Sequence, residues 1–133
     1  MDILRSIDIE DVMREALDDY FVIYCRPLPA KLLTPCIEVQ RVGGSEANTI
    51  DTFDVVIDSR AKDPADADAQ LRNVIGVLKE IAKDQTTAIR FVDVNSSGAW
   101  GSDPVRPDLS MCSARLRITA HQEKSTINRR QEQ

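Results

Sequence analysis

Residues 52–83 read TFDVVIDSRAKDPADADAQLRNVIGVLKEIAK: an extended run, a polar turn and one long helix. The extended run begins at about Thr49. Phe53, Val55 and Ile57 alternate with Thr52, Asp54 and Asp58, the period of two that marks a half-buried strand. Val56 interrupts the polar side, so that side is expected to be partly covered. Asp63 then precedes Pro64 and the acids Asp66 and Asp68. An aspartate before the first turn accepts hydrogen bonds from free N–H groups, and proline at the first helical position loses no bond. Leu71, Val74, Ile75, Leu78, Ile81 and Ala82 recur at spacings of three and four, which is one apolar stripe. Lys79 and Lys83 stand at the end where the helix dipole favours cations. A strand and a helix joined this tightly pack on each other, and further strands must complete the sheet.

The chain on either side supplies those strands. Asp8–Tyr20 predicts a first helix capped by Asp8, with Ile9, Val12, Ala16, Leu17 and Tyr20 on its apolar side and Glu10, Asp11, Glu15, Asp18 and Asp19 on the other. Phe21–Arg26 is a short strand or an edge, ended by Pro27 and Pro29. Pro35–Val42 alternates Ile37 and Val39 with Glu38 and Gln40. It is followed by the turn signal Gly43-Gly44-Ser45, so residues 35–58 read as a hairpin with a loop of several residues. Ala88–Val94 offers apolar atoms to both sides and predicts a central strand. Asn95–Leu109 reads as the longest irregular stretch and holds the single tryptophan, Trp100, which would either fold back to lid the core edge or anchor a protein interface. Met111–His121 has the clearest alternation: Cys112, Ala114, Leu116, Ile118 and Ala120 against Ser113, Arg115, Arg117, Thr119 and His121. Arg115 and Arg117 would pair with Asp54, Asp58 or Glu38 across the sheet, or meet an acidic neighbouring subunit. The predicted fold is α+β: a two-layer sandwich with a mainly antiparallel sheet of four to five strands and two helices packed on it. Residues 1–121 form one domain, and the polar residues 122–133 read as a flexible tail.

Composition narrows the function. A chain of 133 residues can bury about two-thirds of its unfolded surface, enough for one core without staples. The net charge of -5 repels nucleic acid, which argues against sequence-specific binding of it. The acidic start MDILRSIDIED lacks the apolar core of a signal peptide, and no run approaches the ~18 apolar residues of a membrane span. Cys25, Cys36 and Cys112 lie far apart in strand-like surroundings, as expected of reduced, buried thiols. No catalytic set, cofactor site or metal site emerges. His121 is the one histidine, there is no CxxC or HxxxH spacing, and the Gly-Gly pair lacks a phosphate-loop pattern. Asp51, Asp54 and Asp58 resemble a carboxylate cluster, but strand alternation explains them more simply.

CIEVQRVGG, then TIDTFDVVIDSRAKDPADADAQLRNVIGVLKEI, then SGAWGSDPVRPDLSMCSARLRITAH carry a family likeness over about residues 35–121. This part of the chain resembles the tail-terminator (tail-completion, head–tail joining) proteins of long-tailed bacteriophages. The likeness rests on Arg41, Gly43, Gly44, Asp54, Val55, Ala67, Leu71, Asp103, Pro104, Arg115 and Ile118. Ala99 departs from it, since proline is more usual after the glycine. The resemblance implies a structural virion subunit, not an enzyme, made in the host bacterial cytoplasm and carried at the tail–neck junction. It implies a six-fold ring that ends the tail tube and faces the head connector or stopper protein. The partners expected are therefore further copies, the tube protein and the connector, with no small-molecule substrate and no membrane. The alternative is a non-catalytic oligomerising or regulatory binding domain of a cellular protein. The interface candidates are Glu15, Asp19, Arg41, Gly43, Gly44, Glu46, Trp100, Arg106, Arg115 and Arg117, with the acidic helix face set to meet the basic strand face of the next subunit.

Overall fold

A computed structural model of the chain describes residues 1–103 and 106–131, with only the backbone described at Ala99 and Ser102. Pro104, Glu132 and Gln133 of the sequence reading lie outside it. The elements in order are β1 (Asp2–Arg5), α1 (Ile9–Leu17), β2 (Ile23–Tyr24), β3 (Cys36–Glu46), β4 (Ile50–Ala61), α2 (Pro64–Asp84), β5 (Ile89–Ser102), β6 (Ser110–His121) and β7 (Glu123–Thr126). Five strands form one sheet in the order β2-β3-β4-β6-β5, antiparallel except that β2 runs parallel to β3. The helices cover one face, so the chain is α+β with a two-layer core. β1 and β7 form a separate antiparallel ribbon.

The decisive stretch folds as its pattern demands. Phe53, Val55 and Ile57 of β4 are buried, as are Leu71, Val74, Ile75, Leu78 and Ala82 of α2. The Asp63 side chain accepts from the Ala65 N–H at 2.8 Å, and Pro64 stands in the first turn. Gln85 adopts the left-handed conformation that ends the helix. Asp8 caps α1 through the Asp11 N–H at 3.2 Å, and Ile9, Met13 and Leu17 fill the space between α1 and the sheet. Cys112, Ala114, Leu116, Ile118 and Ala120 of β6 complete this core. One polar link crosses it: the Gln70 amide donates to the Cys36 carbonyl at 3.0 Å and to Ser59 Oγ at 2.9 Å, while Ser59 donates to the Ala67 carbonyl. Bonding of this kind satisfies groups that would otherwise be orphaned between α2 and the sheet.

Four sequence expectations are corrected. First, β5 runs on to Ser102, so much of the stretch read as a loop is strand. Its register slips at three places, between Ile89 and Phe91, Val94 and Ser96, and Ser97 and Ala99. Such bulges leave no clean alternation to read. Second, β5 is an edge strand rather than a central one: Val92 packs on the core, but Phe91 is 67% exposed. Third, Gly43 and Gly44 lie inside β3 opposite Asp54 and Phe53, at a bulge, and the turn itself is residues 47–49. Fourth, Glu123–Thr126 of the supposed tail is paired with Asp2–Arg5. The Met1 ammonium donates to the Ile127 carbonyl at 2.8 Å.

The cysteines are free; Cys36 and Cys112 are buried and Cys25 is half-buried. Burial pushes all three thiols above the usual range, so they are protonated at neutral pH.

Candidate assembly interface

The candidate residues fall on two sides of the sheet. Glu15 on α1 and Asp19 just past its end stand exposed, on the helix side. Arg115 and Arg117 are exposed on the face that the helices leave open, in register with Val56 and Asp54. Arg117 Nε lies 3.2 Å from Asp54 Oδ1, so its cross-strand pairing is internal. Arg115 has no ion-pair partner among the described residues. Asp93 stands opposite Arg117 on the other side, in β5. The basic stripe is therefore flanked by carboxylates and is weaker than the β6 sequence alone suggests.

The remaining candidates are engaged within the chain. Arg41 shares the core side with Val55, and its guanidinium lies 4.7 Å from the centre of the Phe53 ring, a cation–π contact. The Arg41 N–H donates to Glu10 of α1 at 3.0 Å. Gly44 has φ +140°, and a Cβ there would meet the Thr52 carbonyl at 2.2 Å, so glycine is required. Gly43 is less demanding, since its nearest atom would be Asp54 Oδ2 at 3.5 Å. Arg106 donates to the Pro29 and Ala30 carbonyls at 2.9 and 2.8 Å, so it straps a loop of its own chain. Glu46 meets Ser6 Oγ at 2.6 Å, and the same oxygen lies 2.5 Å from buried Asp51. Trp100 is 53% exposed, opposite Cys112 on β5.

A group absent from the sequence reading is a buried charge network beneath the loop that Arg106 straps. Arg60 Nε donates to Asp103 at 2.7 Å and its Nη1 to Glu38 at 3.0 Å. Arg26 Nε reaches the other Glu38 oxygen at 2.7 Å. Arg60, Glu38 and Asp103 are all nearly inaccessible. Burial works against the charged guanidinium of Arg60, but the Asp103 and Glu38 hydrogen bonds outweigh it and raise its pKa. Three ionised groups are thus held out of water by mutual pairing, the condition under which buried charge is tolerated. Beside them a cleft of about 830 Å³ opens between Pro27–Ala30 and the sheet. Only the alternation of Glu38 and Arg60 onto the same sheet face was available as a signal, because Asp103 lies 43 residues from Arg60.

Asp51 ties β4 to the chain ends. It accepts from Ser6, from the Ala47 N–H at 3.2 Å and from Gln122 at 2.9 Å. Burial alone would raise its pKa, but these hydrogen bonds and the nearby Arg41 charge hold the carboxyl below the usual carboxylate range. A depressed folded pKa stabilises the fold above the unfolded value of about 3.9, and that stability disappears as pH falls through the folded value. Urea midpoints measured from pH 7 to pH 2.5 should therefore fall more steeply for the native chain than for Asp51→Asn. Equal slopes would remove Asp51 from the acid response.

Among the described residues no group of three His, Cys, Asp or Glu side chains converges on a metal-sized site, and no helix is long and apolar enough to cross a membrane. No protein-family model matches the chain, and no curated protein matches it.

The sheet ends in two free edges. Beyond β3 lies only the two-residue β2, paired at Ile37 and Glu38, and the Arg41 N–H is taken by Glu10, so among the described residues the outer side of residues 42–46 carries no strand. Among the described residues no strand pairs beyond β5. The two regular runs of β5, Phe91–Val94 and residues 99–102, each carry an exposed apolar side chain, Phe91 and Val94 in one and Trp100 in the other. Exposed apolar edges are usually blunted in monomers because they recruit other chains.

Proposed function

We propose that this chain is a ring-forming structural subunit that closes the end of a phage tail tube, a tail terminator, and faces the head connector. The observation that supports it best is the pair of free sheet edges on opposite sides of one small unit, with Phe91, Val94 and Trp100 exposed along β5. A closed ring needs two different surfaces on each subunit, one for each neighbour. The β5 edge and the outer half of β3 are such a pair, and they run in line with the sheet, so successive subunits extend it around the ring. The acidic α1 face and Arg115 lie on opposite faces of the sheet and leave the two ends of the ring electrostatically unlike.

The experiment is direct. Purified chain added to polymerising tail-tube protein should cap the tubes and fix their length in negative-stain images. Phe91→Glu should abolish capping yet leave the unfolding midpoint within a few degrees, because Phe91 contributes little to the core. Tubes of unaltered length, or full capping by Phe91→Glu, would count against this reading. The cleft beside Arg60 favours the second reading, a binding domain of a cellular protein. That reading gains if the chain neither rings nor caps.

A further inference from the structure

Among the described residues no further strand pairs with the β1–β7 ribbon. A two-stranded ribbon is marginal in water by itself. At its base Ser6 meets Asp51 and Glu46, and Gln122 donates to the Ala47 carbonyl at 2.9 Å, while Arg5 and Glu123 pair at 2.9 Å across the ribbon itself. Its tip is Met1 beside Ile127, both exposed. Asn128, Arg129 and Arg130 follow, also exposed. The segment is thus an apolar residue followed by two guanidiniums, carried on an arm.

The opposite chemistry lies along the helices. A groove of about 830 Å³ runs between the C-terminal end of α1 and the length of α2 from Arg72 to Asp84. Ala16, Val77 and Ile81 line it, and a Cβ at Gly76 would touch nothing within 4 Å. Its two cations are already paired, Arg72 with Asp68 at 2.9 Å and Lys83 with Glu80 at 3.1 Å. Asp19 and Asp84 on its rim, and beside them Glu15 of α1 and its C-cap Asp18, have no cation partner among the described residues. The C-terminal ends of both helices add partial negative charge.

We propose that residues Ile127–Gln131 of one copy dock in the α1–α2 groove of a second copy. Ile127 covers the Gly76–Val77–Ile81 floor, and Arg129 and Arg130 meet Asp19 and Asp84. The occupant is another copy: Ile127 is bonded to Met1 in both directions at the tip of the ribbon, and neither it nor residues 128–131 line the groove of their own chain. This contact does not depend on tube capping and goes beyond it, since it concerns association of the free chain.

The test uses the full chain. Arg130→Cys and Asp84→Cys, carried on separate chains and mixed under mild oxidation, should give a disulfide-linked dimer of the two. Neither the native chain nor either variant alone should give it. Arg129→Glu/Arg130→Glu should weaken self-association about tenfold, or about 1.4 kcal/mol over the two exposed ion pairs, without moving the unfolding midpoint. Adding Asp19→Arg/Asp84→Arg in the partner should restore it. Absence of the mixed dimer, or unchanged self-association in the double glutamate variant, overturns the proposal. If that variant instead loses binding to duplex DNA while self-association holds, the arginines serve nucleic acid and the proposal is equally overturned.

Discussion

Arg60→Ala is expected to lower the unfolding midpoint by roughly 10–20 °C. Removing one member of a buried ion network costs about 3–5 kcal/mol, because the remaining charges stay buried without it. In a chain of this size each kcal/mol moves the midpoint by roughly 4 °C. Glu38 would keep Arg26, whereas Asp103 would lose the guanidinium 2.7 Å away. Arg26→Ala should cost far less, about 1 kcal/mol or under, since the Arg26 side chain is 61% exposed and water screens its pairing. Replacing Arg60, Glu38 and Asp103 together by Met, Leu and Leu should recover most of the loss, as apolar groups of similar volume often do. Calorimetric scans of the three variants give the comparison. An Arg60→Ala chain melting within about 3 °C of the native one would mean the network is incidental to stability.

Gly44→Val should destabilise the hairpin by roughly 2–4 kcal/mol, while Gly43→Ala should stay within about 1 kcal/mol. The two neighbours differ for a concrete reason. At Gly44 the backbone sits at φ +140°, and a Cβ would fall 2.2 Å from the Thr52 carbonyl oxygen and 3.0 Å from Phe53 Cα. Both are backbone atoms, so the β4 strand itself would have to shift. At Gly43 the nearest atom is a side-chain oxygen at ordinary contact distance. The displacement at Gly44 would also move Phe53 from beneath Arg41. Chemical denaturation of both variants tests the contrast, and equal losses would refute it.

How far the sequence reached depended on burial. β4, α2, α1 and β6 were legible because each has one covered side, and burial writes a period of two or 3.6 into the residues. β5 beyond Val94 was not, because two bulges and an open edge remove the requirement for alternation. β1 and β7 were missed for the same reason: an exposed ribbon imposes no pattern. The interface candidates were legible one by one as charged, aromatic or glycine residues. Their present engagements were not. Arg106 was read as a contact for another subunit, but it straps Pro29 and Ala30. Arg117 was read as pairing either across the sheet or with a neighbouring subunit, and it pairs with Asp54.

The sequence by itself determined the α+β class, the cap and stripe of the long helix, and the apolar side of each covered strand. These follow from interactions between residues a few positions apart and from the demand that one side leave water. The tertiary structure alone decided which strand stands at the edge, that Glu38, Arg60 and Asp103 share one buried network, and that the two chain ends pair as an arm. Those depend on which distant segments meet, and no local period records that choice.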